Sequence, residues 1–289
     1  MSFFKKLFCK DKKPEPSENA KKIIEFLGCE CELFPRSSSN QVLITKYFEA
    51  HKSWRKGAKY FPVIIVVDEV LTEWLTDIVT DGKAPQQLRD EILTETSLYR
   101  KHIDTQGRSK EQIHEEARAN ACADGKRLIE ELLKVRQEEM ELDDESSYLN
   151  FTEEDVLRES CDGHAVRKFI GFNDYSDNSV KETILAYIPT TRPFEVFAWV
   201  PFGGWNECPC AVDMINLSRY WYLKHNAVPA VISHDTLEFF CAPLDIKSAM
   251  ETAVEHYAVC PDNVDQGIGT VAALADSLTK STVWWFWWD

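Results

Sequence analysis

Residues 20–105 alternate between helical and strand-like patterns of apolar positions. The patterns predict helices at 20–27 and 42–56, and strands at 29–34 and 61–67. The run 61–67 is short and rich in β-branched residues, which favours a buried strand over a helix. Asp68 follows it in a position to cap a new helix, whose apolar residues come at helical spacing. This alternation predicts an α/β layer with a covered sheet.

Residues 106–160 have a helical and acidic pattern instead. Ser109 to Gln112 has the form of a capping box, and apolar residues then keep helical spacing to about Glu141. Gly125 is the weak point of this run, which predicts one long helix or two. Six of the eight residues at 138–145 are acidic. Because acids at a helix C-terminus oppose the helix dipole and repel each other, we expect this run to be a solvated loop.

From Lys181 onward the α/β pattern returns. It predicts strands at 183–188, 194–200, 228–233, 236–241 and 282–288, and helices at 211–225, 246–257 and 270–279. Strand 194–200 is expected beside strand 183–188, after a turn at 189–193. The last strand is aromatic on both faces, with Trp284, Phe286 and Trp288 on one face. This pattern favours a central strand with both faces covered, and the alternative is a platform on which a ring-shaped ligand stacks.

The patterns together predict an α/β fold, with a mixed α+β arrangement as the alternative. The parts expected along the chain are a flexible basic tail at 1–19, an N-terminal α/β region at 20–105, an acidic helical segment at 106–160 and a C-terminal α/β domain at 161–289. A weak internal similarity links two helix–strand units. In one, Tyr47 leads to strand 61–67 and Asp68, and in the other, Tyr220 leads to strand 228–233 and His234. Chance and duplication explain this similarity equally well.

The net charge of −15 is unevenly distributed along the chain. Residues 1–60 carry +6, residues 61–160 carry −13 and residues 161–289 carry −8. This balance argues against nucleic-acid binding by the surface as a whole. The acidic middle segment is the surface that we expect to attract a basic protein partner, since complementary charge speeds encounter and selects the partner.

The sequence indicates a cytoplasmic location. The N-terminus lacks the apolar core of a secretory signal, and the longest apolar run is far shorter than the ~20 residues that cross a bilayer. Nine cysteines in a chain without such a signal indicate reduced thiols. Peripheral membrane contact remains an alternative, because Phe3, Phe4, Leu7 and Phe8 share a helix face among lysines.

Neither a metal nor a cofactor is predicted. The pairs Cys29/Cys31 and Cys208/Cys210 are spaced more tightly than zinc ligands and have no adjacent histidine cluster. Gly203-Gly204 allows a sharp turn or the close approach of a ligand to the backbone. It is not a phosphate-binding loop, because the spacing Gly-x-Gly-x-x-Gly is missing.

Several specific strings occur in a fixed order in the C-terminal part of the chain. They are Gly203-Gly204-Trp205-Asn206-Glu207-Cys208-Pro209, Arg219-Tyr220-Trp221, His234-Asp235-Thr236-Leu237-Glu238, Cys260-Pro261-Asp262, Val264-Asp265-Gln266-Gly267 and the closing Trp284-Trp285-Phe286-Trp287-Trp288-Asp289. In this combination the chain resembles the uncharacterised bacterial domain-of-unknown-function family numbered 4253, closely over about the last hundred residues and loosely over 62–75. The chain departs from the family at 226–229, where a Gly-Ala-Glu string is expected. The resemblance implies kinship and no established activity.

Eight residues in these strings are candidate pocket or ligand residues: Trp205, Asn206, Glu207, His234, Asp235, Glu238, Cys260 and Asp262. We expect a non-catalytic binding protein, in one form an immunity-type protein that masks a basic partner. The alternative is a hydrolase-type enzyme that uses Asn206, Asp235, Glu238, Cys260 and Asp262, in which Cys260 could act as a nucleophile with His234 or His256 nearby. The hydrolase hypothesis requires that these side chains converge in one pocket.

Overall fold

A computed structural model describes residues 15–36, 39–98, 109, 124–138, 149–158, 165–174, 176 and 179–289. The apolar N-terminal residues Phe3, Phe4, Leu7 and Phe8 lie outside these ranges, as do residues 110–123 of the predicted long helix and the acidic positions 139–145. The hypotheses of a membrane-contacting tail and a solvated acidic loop therefore stay predictions. None of the described helices is both long enough and apolar enough to cross a bilayer.

One mixed six-stranded sheet draws on both ends of the chain. The strands among the described residues are β1 (Glu30–Phe34), β2 (Phe61–Val66), β3 (Asn173–Asp174), β4 (Ser179–Val180), β5 (Thr183–Ile188), β6 (Val228–Ile232), β7 (Thr236–Phe240) and β8 (Val283–Trp287). The sheet order is β1-β5-β2-β6-β7-β8, and β3 and β4 form a separate short pair. Strands β2 and β6 are parallel, whereas the other neighbouring pairs in the sheet are antiparallel. The two predicted α/β regions thus share one sheet, with β2 between β5 and β6.

The helices cover the sheet unequally. They are α1 (Glu18–Leu27), α2 (Asn40–Arg55), α3 (Glu69–Glu73), α4 (Pro85–Leu98), α5 (124–138), α6 (Glu153–Arg158), α7 (Val196–Trp199), α8 (Ala211–His225), α9 (Ile246–Val259) and α10 (Val271–Lys280). Wider turns at Trp74–Ile78 and Asn263–Ile268 extend α3 and precede α10. Helix α2 and the segment 166–172 pack against the sheet face that carries Ile64 and Val231. The remaining described helices pack against the opposite face, which carries Val63 and Phe286, and form the larger core cluster with it. The fold class predicted from the sequence is confirmed.

Local sequence chemistry explains where several elements begin and end. The Asp68 carboxylate accepts the Leu71 amide at 2.7 Å, as predicted for an N-cap, and it fixes the start of α3 at the end of β2. Gly28 ends α1 with a φ of 58°, a left-handed conformation that costs glycine little. Asp245 caps α9 and Thr270 caps α10. These N-caps fix where α3, α9 and α10 begin.

Two strand predictions need correction. Residues 194–200 form no strand; they hold a 3₁₀ turn at Pro193–Glu195 followed by helix α7. Pro193 takes the first helical position, where its fixed φ favours a helix, and a short apolar run does not by itself distinguish the two states. The neighbours of β5 are instead β1 and β2.

The aromatic strand β8 lies at the edge of the sheet and not at its centre. The predicted division of its faces is confirmed, because Trp284, Phe286 and Trp288 are buried in the core while Trp285 and Trp287 are half-buried. Aromatic side chains on both faces of β8 therefore predicted that both faces are in contact with protein. They did not predict whether the strand lies at the edge or at the centre of the sheet.

Candidate functional site

A cleft of about 350 Å³ lies at the end of the sheet where β2, β6 and β8 finish. Its lining residues are Val70, Leu71, Trp74, Trp205, Asn206, His234, Asp235, Trp287, Trp288 and Asp289. We call it the tryptophan–aspartate cleft. Since β2 and β6 are parallel neighbours, the chain leaves both strands at the same edge, which is where open α/β sheets commonly bind ligands.

His234 is held between two carboxylates in this cleft. Its Nδ1 lies 3.1 Å from Oδ2 of Asp68, and its Nε2 lies 3.4 Å from Oδ2 of Asp235. Asp68 follows β2, whereas His234 and Asp235 form the turn between β6 and β7. The parallel pairing of β2 and β6 therefore brings together groups that are far apart in sequence.

The charges of this group depend on one another. The hydrogen bond that the His234 ring donates to Asp68, supported by the charges of Asp68 and Asp235, raises the pKa of His234 above its ordinary value, against burial and the charge of Lys181. Burial alone would raise the pKa of Asp235, but hydrogen bonds and the His234 charge outweigh it and hold that pKa below its ordinary value. Two of those bonds come from Ser233 and Thr236 to Oδ1, at 2.8 and 3.0 Å. The arrangement thus stabilises an imidazolium between two carboxylates.

This linkage predicts a pH-dependent stability difference between the wild type and His234→Gln. Because the folded-state pKa of His234 is raised, its stabilising contribution is complete below its ordinary value of 6.5 and is lost as pH rises through the folded-state value. We expect the difference in the free energy of unfolding between the wild type and His234→Gln to shrink as the pH rises above 6.5 and through the folded-state pKa of His234. Urea unfolding at pH steps from about 6 to 9 measures this difference.

His225→Gln is the matched control for that titration. Burial lowers the pKa of His225 to about 4, so its contribution changes only on the acidic side of 6.5. Between pH 7 and 9 the difference between the wild type and this variant should stay constant. A constant difference for His234→Gln as well would show that the His234 ion pairs do not stabilise the fold.

Indole rings form the walls of the cleft, and hydrogen bonds fix their orientation. Trp74 Nε1 donates to the Pro201 carbonyl at 2.8 Å, and Trp287 Nε1 donates to Oδ2 of Asp235 at 3.1 Å. The Trp74 and Trp205 rings meet edge to face, with centroids 4.8 Å apart. Because these N–H groups are used within the protein, the rings offer mainly their π faces and edges to a ligand.

The loop after α7 shapes one side of the cleft. Gly203 and Gly204 have φ values of 89° and 90°, and Asn206 has a φ of 45°. The Gly204 amide donates to the Cys208 carbonyl at 3.0 Å, which closes the loop. The side-chain amide of Asn206 donates to the main-chain oxygen of Asp289, so the loop is tied to the residue after Trp288. Asn206 does not cap α8, since Cys210 occupies the N-cap position of that helix.

The eight predicted site residues divide into two groups. Trp205, Asn206, His234 and Asp235 line the cleft. Glu207, Glu238, Cys260 and Asp262 do not belong to its lining. Sequence reasoning missed Asp68, Trp74 and Asp289 as site residues; Asp68 was assigned only as a helix cap.

Each residue outside the cleft has a local partner. Glu207 pairs with Arg136 of α5 at 2.6 Å, and Asp262 accepts the Asp289 amide at 3.1 Å. Glu238 is fully buried under the opposite face of the sheet, where Oε1 accepts the Ile170 amide and burial raises its pKa to about 7. Cys260 donates its thiol hydrogen to the Trp287 carbonyl at 3.0 Å. Burial raises the pKa of that thiol to about 12, so it is protonated at neutral pH.

The cleft is thus built from oriented indole rings and carboxylates. Within the described residues, no group of three or more histidine, cysteine, aspartate or glutamate side chains is arranged to hold a metal ion. The side chains that meet in the cleft can surround a ligand, accept hydrogen bonds from it and face a positive charge.

The fold and this site define an α/β protein with an aromatic, carboxylate-bearing cleft at the end of a mixed sheet. Residues 184–289 match the family described as Domain of unknown function (DUF4253), which confirms the resemblance carried by the strings around Gly203 and Trp284. No curated protein and no solved structure matches the chain. Strand β2 and Asp68 lie outside the matched range, although β2 pairs with β5 and β6 within it.

Proposed function

We propose that the protein is a non-catalytic binding protein whose tryptophan–aspartate cleft receives a cationic side chain of a basic protein partner. The observation that carries this proposal is the meeting of Trp74, Trp205, Trp287 and Trp288 with the carboxylates of Asp235 and Asp289 in one cleft. A guanidinium or ammonium group above an indole ring gains cation–π attraction, most strongly where water is displaced. Nearby carboxylates add charge-assisted hydrogen bonds.

The local charge balance favours a cation. Asp68, Asp235 and Asp289 bring three negative charges to the cleft and its border, against at most one positive charge, on His234. The His234 ring already engages Asp68 and Asp235, which leaves the exposed Asp289 as the carboxylate for an incoming cation. A negatively charged ligand would meet net repulsion here.

The border formed by α3 and the turn after it supports a protein partner rather than a free small cation. Glu69, Glu73 and Asp77 are exposed and follow one another at intervals of four residues, so they share a helical face beside the cleft. Val70 and Ile78 are each 58% exposed on the same segment. Apolar side chains among acidic ones provide both contact area and charge complementarity to a basic protein surface.

The geometry gives the hydrolase alternative less support. Both ring nitrogens of His234 face carboxylates, so the ring has no nitrogen directed at a substrate. The five residues of the proposed hydrolase site do not converge, since Glu238 lies under the other sheet face and Cys260 bonds to the backbone of β8. A binding role uses the side chains that do meet in the cleft.

The proposal is tested with acetyl-arginine methylamide and its neutral isostere acetyl-citrulline methylamide. We expect the arginine derivative to bind with a Kd on the order of 1 mM, because one cation–π contact and one charge-assisted hydrogen bond amount to about 4 kcal/mol. The citrulline derivative should bind at least roughly tenfold more weakly. The measurement is a titration followed by the indole N–H signals of Trp74 and Trp287 in NMR spectra.

Matched variants locate the binding. Asp289→Asn should weaken arginine binding, whereas Asp90→Asn on the exposed face of α4 removes the same charge and should have no effect. With an arginine-rich peptide, Glu73→Lys should weaken binding more than Glu49→Lys on α2, across the sheet. Equal affinity for the arginine and citrulline derivatives would falsify the proposal.

A further inference from the structure

The outer edge of β8 carries its own hydrogen-bonding pattern. The Val283 amide donates to the Val166 carbonyl at 3.1 Å, and the Trp287 amide donates to Oδ1 of Asn263 at 3.1 Å. The Asn263 side-chain amide donates in turn to the Trp285 carbonyl at 2.8 Å. Odd-numbered residues of β8 thus direct their main-chain groups away from β7, as the strand period of two requires. The Trp288 amide, at an even position, bonds back to Asp235.

One donor and one acceptor on this edge remain between those contacts. By the same period, the Val283 carbonyl and the Trp285 amide also point outward. Within the described part of the chain, neither group has a hydrogen-bond partner. We call this unpaired donor and acceptor the open position. It lies two residues before the equivalent pair, the Trp285 carbonyl and the Trp287 amide, to which the Asn263 side chain bonds.

This open position borders a second cleft of about 250 Å³, the β8-edge cleft. Its lining residues are Val166, Ile170, His256, Asn263, Gly267, Ile268, Leu274, Ser277, Leu278, Ser281, Val283, Trp284 and Trp285. Most of the lining is apolar, but His256 Nε2 and Trp284 Nε1 are buried without a hydrogen-bond partner. Buried polar atoms without a partner are costly, so a ligand or bound water that reaches them is favoured.

We propose that the β8-edge cleft binds a small neutral molecule that carries a carboxamide or lactam group. A carboxamide presents a carbonyl acceptor and an N–H donor side by side, which is what the Trp285 amide and the Val283 carbonyl require. The protein itself contains this arrangement: the carboxamide of Asn263 spans the Trp285 carbonyl and the Trp287 amide. The body of the ligand then packs against Ile268, Leu274 and Trp284 in the cleft.

Electrostatics favour a neutral ligand at this site. Burial lowers the pKa of His256 well below its ordinary value, so its ring is uncharged at neutral pH and no charged group in the described lining compensates an ionised ligand. A carboxylate of the same shape would lose its hydration, and it has no hydrogen to donate to the Val283 carbonyl. The site should therefore discriminate between an amide and its acid.

Benzamide is the probe, with benzoate and N,N-dimethylbenzamide as matched controls. Both controls keep the ring, but benzoate lacks a donor and is charged, and the dimethyl amide lacks a donor. We expect benzamide to bind at least roughly tenfold more tightly than either control, because each leaves the Val283 carbonyl unpaired. In NMR titrations of the full chain, the Trp285 main-chain amide should shift downfield with benzamide.

Hydrogen exchange tests the open position without a mutation. In the ligand-free protein, the Trp285 amide should exchange at least roughly tenfold faster than the Phe286 amide, which faces β7. Benzamide should slow exchange at Trp285 and leave Phe286 unchanged. Slow exchange at Trp285 in the free protein would mean that the position is already filled, and it would overturn the inference.

A pair of bulky substitutions places the ligand. Ile268→Trp fills the β8-edge cleft and should abolish benzamide binding, whereas Val70→Trp at the tryptophan–aspartate cleft should leave it unchanged. Equal binding of the three probes, binding without a response at Trp285, or no binding at millimolar benzamide would each contradict the proposal. None of these results bears on cation binding at the other cleft.

Discussion

Replacing Trp221 by alanine is expected to lower the free energy of unfolding by about 3–5 kcal/mol, a large part of the stability of a protein of this kind. The indole of Trp221 is fully buried on α8. It stacks on Phe286 with centroids 5.5 Å apart and meets Trp284 edge to face at 5.9 Å. Its Nε1 donates to the buried carboxylate of Glu255 at 3.1 Å. The substitution thus leaves a cavity and also removes a hydrogen bond from a buried carboxylate.

The matched control is Trp285→Ala on β8, which removes the same side chain from a half-buried position. We expect a much smaller loss there, since less of the ring leaves contact with protein on unfolding. Trp221→Phe should lie between the two, because it keeps the ring contacts and loses the bond to Glu255. Urea unfolding followed by circular dichroism measures all three variants. Equal losses for Trp221→Ala and Trp285→Ala would show that the aromatic cluster is not the centre of the core.

Predictions of elements succeeded where local chemistry and periodicity agree. Asp68 combines an N-cap oxygen with helical spacing in the residues that follow, and helix α3 begins there. The short apolar run of β6 and the β-branched and aromatic residues of β7, with a polar turn between them, predicted both strands to within one residue. In these segments the local sequence alone is sufficient to predict the element, because its capping and spacing do not depend on distant parts of the chain.

Predictions failed where the outcome depends on distant partners. Residues 194–199 are apolar at every position but Glu195, so no period distinguishes a strand from the helix that forms. The chain passes through α9 and α10 between β7 and β8, and β8 then pairs with β7 alone, which leaves it at the edge of the sheet. Alternation within a strand determines its faces, but the identity of its neighbours is a property of the whole sheet.

The candidate site could be predicted in part for the same reason. The motif strings supplied Trp205, Asn206, His234 and Asp235, which line the cleft. Asp68 was missed because its role depends on the parallel pairing of β2 with β6, more than 160 positions apart in sequence. The weak similarity between the two helix–strand units was a usable signal. Their strands are the parallel pair, and the residues that follow them, Asp68 and His234, form the ion pair.

The second large effect is expected at the glycine pair that turns the chain into the cleft. A Cβ at Gly203 would lie 1.8 Å from the carbonyl oxygen of Pro209, a contact with main chain that no side-chain movement relieves. A Cβ at Gly204 would meet its nearest atom, in the Trp74 ring, at 3.8 Å. Both glycines have nearly the same positive φ, which costs an L-residue about 1–2 kcal/mol. Comparing the two alanine variants therefore isolates the clash from the backbone strain.

We expect Gly203→Ala to open the loop and to abolish the binding of acetyl-arginine methylamide, while Gly204→Ala keeps it. The clash pushes Pro209 away from Gly203 and breaks the bond between the Gly204 amide and the Cys208 carbonyl, so Trp205 and Asn206 leave their places in the cleft. Thermal unfolding should show a lower melting temperature for both variants, and a larger decrease for Gly203→Ala. The NMR titration with the arginine derivative then separates loss of the cleft from loss of the fold. Unchanged affinity in a folded Gly203→Ala protein would mean that the loop does not form the binding surface.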